Sequence, residues 1–123
     1  MRSRRGLIFA LAALLALSVA ADAVALRKPT HSERRGAAKV VGLTAHCATV
    51  RISTVTTEPK WASVYWRPGP SSCKQFARNG VAIVRKRAGG NWRFVSAGSS
   101  YDCPSLYRDV PQAVAEDLKI DCF

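Results

Sequence analysis

Four cysteines, at positions 47, 73, 103 and 122, carry the most definite chemistry in this chain. Their successive gaps of 26, 30 and 19 residues are too wide for zinc, whose ligands come in close pairs about two to four residues apart. A reactive thiol needs a neighbouring base. His46 adjoins Cys47, but adjacent residues on a strand point to opposite faces, so this pair is a poor nucleophile and base. Two disulfides are the better reading for so short a chain, provided that it reaches an oxidising compartment. Three pairings are formally open. Cys47–Cys73 with Cys103–Cys122 is favoured because each bridge joins neighbouring ends of a meander without threading, and closing each loop is worth about 3 kcal/mol in the chain-entropy account.

The second group is basic and aromatic. Arg85, Lys86, Arg87 and Arg93 flank a Gly89-Gly90 centre together with Trp92, while Trp61 and Tyr65 lie on an earlier strand-like run. Cations attract phosphate, sulfate or carboxylate groups, and aromatic rings stack on bases or sugars. These seven residues are therefore the candidate site for an anionic polymer. The competing reading is a solvated hairpin tip with core aromatics. Acid–base catalysis would require Glu58, Glu33, His31 and His46 to converge, and their placement in a turn, a leader and a strand entrance argues against it. Ser99 lacks a Gly-x-Ser-x-Gly elbow and a histidine partner. The sequence thus predicts no catalytic residue, no metal and no cofactor.

Several elements must position these groups. Residues 48–55 alternate β-branched and polar side chains, and 61–67 resume a strand after the turn chemistry of Thr56 to Lys60. Pro68-Gly69-Pro70 ends that strand, and a single helical turn fits 73–78. Residues 81–87 and 92–97 form a hairpin. If Gly89 and Gly90 are its turn, paired numbers sum to 179, so Lys86 faces Arg93 and Arg85 faces Phe94. A helix starts near Asp109 and Pro111, with Val110, Val114 and Leu118 as its apolar stripe. The third and fourth strands are apolar on both sides; the face with Ala82, Val84, Val95 and Ala97 is expected to receive this helix. The fold class is α+β: a four-stranded, mostly antiparallel sheet with a C-terminal helix and two disulfides.

Met1 to Arg5 is basic and Leu7 to Ala21 is apolar, followed by small residues. This is the pattern of a signal peptide, with cleavage expected after Ala25. Fifteen apolar residues are too few for a membrane anchor, which needs roughly 20. The domain organisation is then a signal peptide at 1–25, a flexible basic leader at 26–36 without apolar periodicity, and a single small domain at 37–123. A short helix is also expected between Ala37 and His46. The whole chain has 123 residues and a net charge of +11; the expected mature form keeps 98 residues, and 16 basic against 7 acidic side chains leave it near +9. The imbalance is local: residues 26–93 carry +12 and 94–123 carry −3.

The run Val50 to Val55, then Trp61-Ala62-Ser63-Val64, Asn79-Gly80, Gly89-Gly90-Asn91-Trp92-Arg93, Gly98-Ser99, Asp102-Cys103-Pro104, Val110-Pro111 and Asp117-Leu118 before Cys122, resembles a group of small exported bacterial proteins. The resemblance covers about 48–122. It implies export and a two-cysteine C-terminal clamp, and brings no catalytic residue with it. The expected role is a secreted, extracytoplasmic binder of an anionic polymer or an envelope component. The alternative is an inhibitor or protein-interaction module using the loop Pro68 to Cys73, since a stapled loop is preorganised for binding.

Overall fold

A computed structural model describes residues 27–67, 71–76 and 80–123. The expected signal segment, most of the proline loop and Asn79 lie outside the described residues. Helix α1 spans His31–Val40, strands β1 to β4 span Ala48–Ile52, Lys60–Trp66, Val81–Lys86 and Arg93–Gly98, and helices α2 and α3 span Cys103–Asp109 and Gln112–Asp117. The strands form one antiparallel meander in the order β1-β2-β3-β4. This is the expected α+β architecture, and both disulfides join the favoured partners, Cys47 with Cys73 and Cys103 with Cys122.

The segment expected as a flexible leader is instead ordered. Thr30 caps α1: its Oγ1 accepts from the Glu33 backbone N–H while the Glu33 side chain accepts from the Thr30 N–H, a reciprocal capping box. Arg27 forms a bridge with Ile52 at the outer edge of β1. Ala37 and Ala38 are fully buried, and their small side chains let the helix lie close to the sheet. The helix stops at Val40, short of the expected span to His46. Gly42, at φ 77°, donates to the Lys39 carbonyl, and Leu43 donates to the Ala38 carbonyl. That left-handed reversal satisfies two orphan carbonyls and folds Leu43 back beside Ala38. A 3-10 turn over Ala45–Cys47 then leads into β1.

Strand β1 ends at Ile52 rather than Val55, because the Asp117 carboxylate captures the next two residues, accepting from Ser53 Oγ at 2.7 Å and from Thr54 N at 2.8 Å. In the middle of β2, Trp61, Ala62, Ser63 and Val64 are all buried, so both faces of the sheet are covered. The face of Val50, Ile52, Ala62, Val64, Ala82 and Val84 packs under α1. The opposite face, with Trp61 and Ile83, receives Leu106, Val110, Val114 and Leu118 from the C-terminal helices. Docking is thus the reverse of the expected arrangement: the C-terminal helical segment lies on the Ile83 side, and Val84 is buried by α1 instead.

That segment is also two helices, not one. Val110 is extended (φ −127°, ψ 127°) because the residue before a proline is driven out of the helical region, and Pro111 therefore caps α3. Asp102 caps α2 by accepting from the Ser105 N–H, and Asp109, near which the single helix was expected to start, is instead the last residue of α2. The stripe of Val110, Val114 and Leu118 is buried as expected. The chain end is tied back by Cys103–Cys122 and by backbone hydrogen bonds that pair Phe123 with Tyr101 and Cys103.

Gly36 on α1 lies against the Trp92 ring, where an added Cβ would stand 2.6 Å from Cδ1. Alanine gains about 1 kcal/mol of helix propensity over glycine, but overpacking costs about 1–3 kcal/mol, and here the indole, packed in the core under α1, would have to shift to admit the Cβ. Gly36→Ala is expected to lower the melting temperature, and a rise would show that the ring yields. Val84→Asp places an unpaired charge between the sheet and α1 and should cost about 3 kcal/mol or more; denaturant unfolding measures it, and a neutral result would mean that α1 does not cover this face.

Candidate anion-binding surface

The β3–β4 hairpin turns through Ala88-Gly89-Gly90, with Gly89 at φ 71° and the Gly90 N–H donating to the Arg87 carbonyl at 2.9 Å. Far from the turn, the pairs Val81 with Gly98, Ala82 with Ala97 and Ile83 with Ser96 follow the expected register. A bulge then intervenes between Ile83 and Val84, and the near pairs become Val84 with Phe94 and Arg85 with Arg93. Lys86 therefore does not face Arg93, nor does Arg85 face Phe94. One inserted residue flips the near part of β4 to the other side of the sheet.

The consequence is a cleft of about 430 Å³ lined by Arg85, Arg87, Gly90, Asn91 and Arg93. Arg87 and Arg93 are exposed and Arg85 is half-buried. Directly opposed like charges destabilise a sheet by up to about 1 kcal/mol. Part of that is offset because the Arg85 guanidinium lies 5.5 Å from the centre of the Trp61 ring. The ion pairs among the described residues are Arg27–Glu33 and Lys60–Glu33, so none of these three arginines is neutralised by a carboxylate there.

The other expected site residues go elsewhere. Lys86 lies on the α1 side, beside Lys39, Asn91 and Trp92. Trp61 is 3% exposed beneath the C-terminal helices and Trp92 is 8% exposed against α1, so both rings are taken up by the two cores. Tyr65 is half-buried, with the Arg51 guanidinium 5.9 Å from its ring centre. Of the seven candidates, the structure brings together three arginines and keeps Trp61 as the platform under one of them.

The groups weighed for catalysis do not converge. His31 is exposed on α1, and exposed His46 has its Nδ1 3.4 Å from Thr44 Oγ1. Glu58 accepts from the Ala88 N–H at 2.8 Å, holding the hairpin tip to the β1–β2 turn. The donor atoms of His46, Cys47 and Cys73 lie within 4.8 Å of one another, but both sulfurs are consumed by the disulfide.

Glu33 is the residue that sequence reasoning misplaced. Its carboxylate is buried, accepts from Arg27 Nη1 and Nη2 at 2.7 Å each, and accepts from Lys60 Nζ at 3.1 Å. The paired Arg27 guanidinium holds this carboxyl far below the usual carboxylate range, against the opposing effect of burial, with Thr30 and Lys60 adding to the shift. The Thr30-x-x-Glu33 spacing was the signal that could have revealed it. Among the described residues no helix is long and apolar enough to cross a membrane. No family model, curated protein or solved structure matches the chain.

Because the folded-state value of Glu33 lies below its unfolded value near 4.3, its stabilisation is complete above that pH and is lost as pH falls below it. Glu33→Gln is expected to cost about 1–3 kcal/mol at pH 7 and to converge on the parent protein in acid. Thermal unfolding from pH 7 to pH 3 tests this; parallel curves for the two proteins would refute the linkage.

Proposed function

We propose that this chain is an exported, disulfide-stapled basic protein that binds an anionic polymer at the cell envelope through Arg85, Arg87 and Arg93. The observation that carries the reading is the three-arginine cleft at the hairpin tip, created by the β4 bulge and lacking a carboxylate partner among the described residues. A like-charge pair that the fold sets side by side is relieved when a polyanion lies across it. Arginine suits this use because its planar fork donates two parallel hydrogen bonds to phosphate, sulfate or carboxylate. The net charge draws such polymers in from a distance. The basic N-terminal pattern and the two disulfides support an oxidising, extracytoplasmic setting for the encounter.

Single-stranded oligonucleotide and heparin are suitable probes. Three phosphate contacts correspond to a loss of about 100-fold in affinity between 50 and 500 mM salt on a single strand. Arg87→Ser with Arg93→Ser should weaken binding and flatten the logarithmic salt dependence by about two phosphate equivalents, while Arg85 stays in place over Trp61. Binding that ignores salt, or a salt slope unchanged in the double variant, would rule the cleft out and favour a shape-matched protein target.

A further inference from the structure

Away from the arginine cleft, on the α1 side of the sheet, a slot lies between the end of α1 with the turn that follows it and edge strand β4. Its inner part, about 330 Å³, is apolar and bounded by Val41, Leu43, Val64, Trp66, Phe94 and Ala97. That volume lies within the range of small-molecule sites, which are mostly apolar with a few placed polar groups. The walls are preformed. Trp66 Nε1 donates to the Cys73 carbonyl at 2.9 Å, tying the indole to the Cys47–Cys73 staple, and the Gly42 reversal fixes Leu43. Phe94 at the rim is 56% exposed, because the same bulge that pairs Arg85 with Arg93 turns it to this side.

At Val40 the slot meets a second recess, about 470 Å³, that contains Lys39 and Lys86 beside Trp92. Neither lysine takes part in an ion pair among the described residues. An apolar slot that shares its Val40 wall with a recess holding two ammonium groups outside any ion pair among the described residues has the complementary form of an amphiphile with one apolar chain and one negative head. We infer that this groove binds a single-chain fatty-acid anion, its hydrocarbon between α1 and β4 and its carboxylate at Lys39 and Lys86. The site is separate from the polyanion cleft and does not depend on it.

The test is calorimetric titration of the oxidised protein with dodecanoate below its micellar concentration, with backbone amide shifts recorded in parallel. The expected result is saturable one-to-one binding with shifts at Val41, Ala82 and Ala97 and none at Arg87 or Gly90. Octanoate should bind about tenfold or more weakly, since it buries fewer methylenes. Lys39→Glu should weaken dodecanoate about fivefold. Ala97→Trp should fill the slot and abolish binding while leaving heparin retention intact, and Phe94→Ser, at an exposed rim position, gives a second loss-of-contact variant should the tryptophan disturb folding. Absence of saturable binding would overturn the inference. So would affinity unaffected by a folded groove variant, or a ligand-free dimer whose interface shifts map to the slot.

Discussion

Strands β2 and β3 present side chains that cannot face water on either side of the sheet. Ala62, Val64 and Val84 demand cover on one face, and Trp61 and Ile83 demand it on the other. A four-stranded meander bearing only a C-terminal helix would leave one of these faces wet. The rest of the architecture follows from that constraint: the chain must supply a helix from each end, and both must be anchored. Burial at about 25 cal/mol per Å² of apolar surface is the driving force, but it is non-directional, so polar groups decide where each helix sits.

The two anchors are both carboxylates. Glu33 gathers its own helix cap, Arg27 and Lys60, so α1, the chain before it and β2 meet at one buried charge. Asp117 does the corresponding work on the other face, accepting from the end of β1 and locking α3 against it. In a chain with 19 basic and 8 acidic residues, carboxylates are scarce, and two of them are committed to holding layers together. Glu58 is a third, bound to the hairpin tip. This leaves Arg85, Arg87 and Arg93 without a carboxylate partner among the described residues, which is the feature on which the proposed polyanion cleft rests.

The bulge in β4 connects the fold to both candidate sites. One extra residue in β4 sets Arg93 beside Arg85 on one face and turns Phe94 to the other, the side that Lys86 holds by alternation along β3. The basic hairpin is thereby divided into an arginine cleft near Trp61 and a lysine recess near Trp92. The disulfides hold the ends that flank this hairpin: Cys47–Cys73 secures the entrance to β1 and the Trp66 wall, and Cys103–Cys122 closes the segment that follows β4.

Local patterns alone determined the strands, the antiparallel meander and the apolar stripe of Val110, Val114 and Leu118, because alternation and turn residues act over short stretches of chain; they favoured one cysteine pairing of the three that were open, and the fold selected it. The Thr30–Glu33 capping box was equally local, yet its helix has little apolar content besides Ala37 and Ala38, and what makes it a packed element is the sheet beneath it and Lys60, 27 residues away. Which helix covers which face was open, since both sides of β3 are apolar and only the paths of α1 and of the C-terminal segment choose between them. The pairing of Arg85 with Arg93 was likewise decided in three dimensions: a hairpin turn sets the register next to itself, but a bulge is selected by how the whole strand must twist to seat its side chains on two different cores.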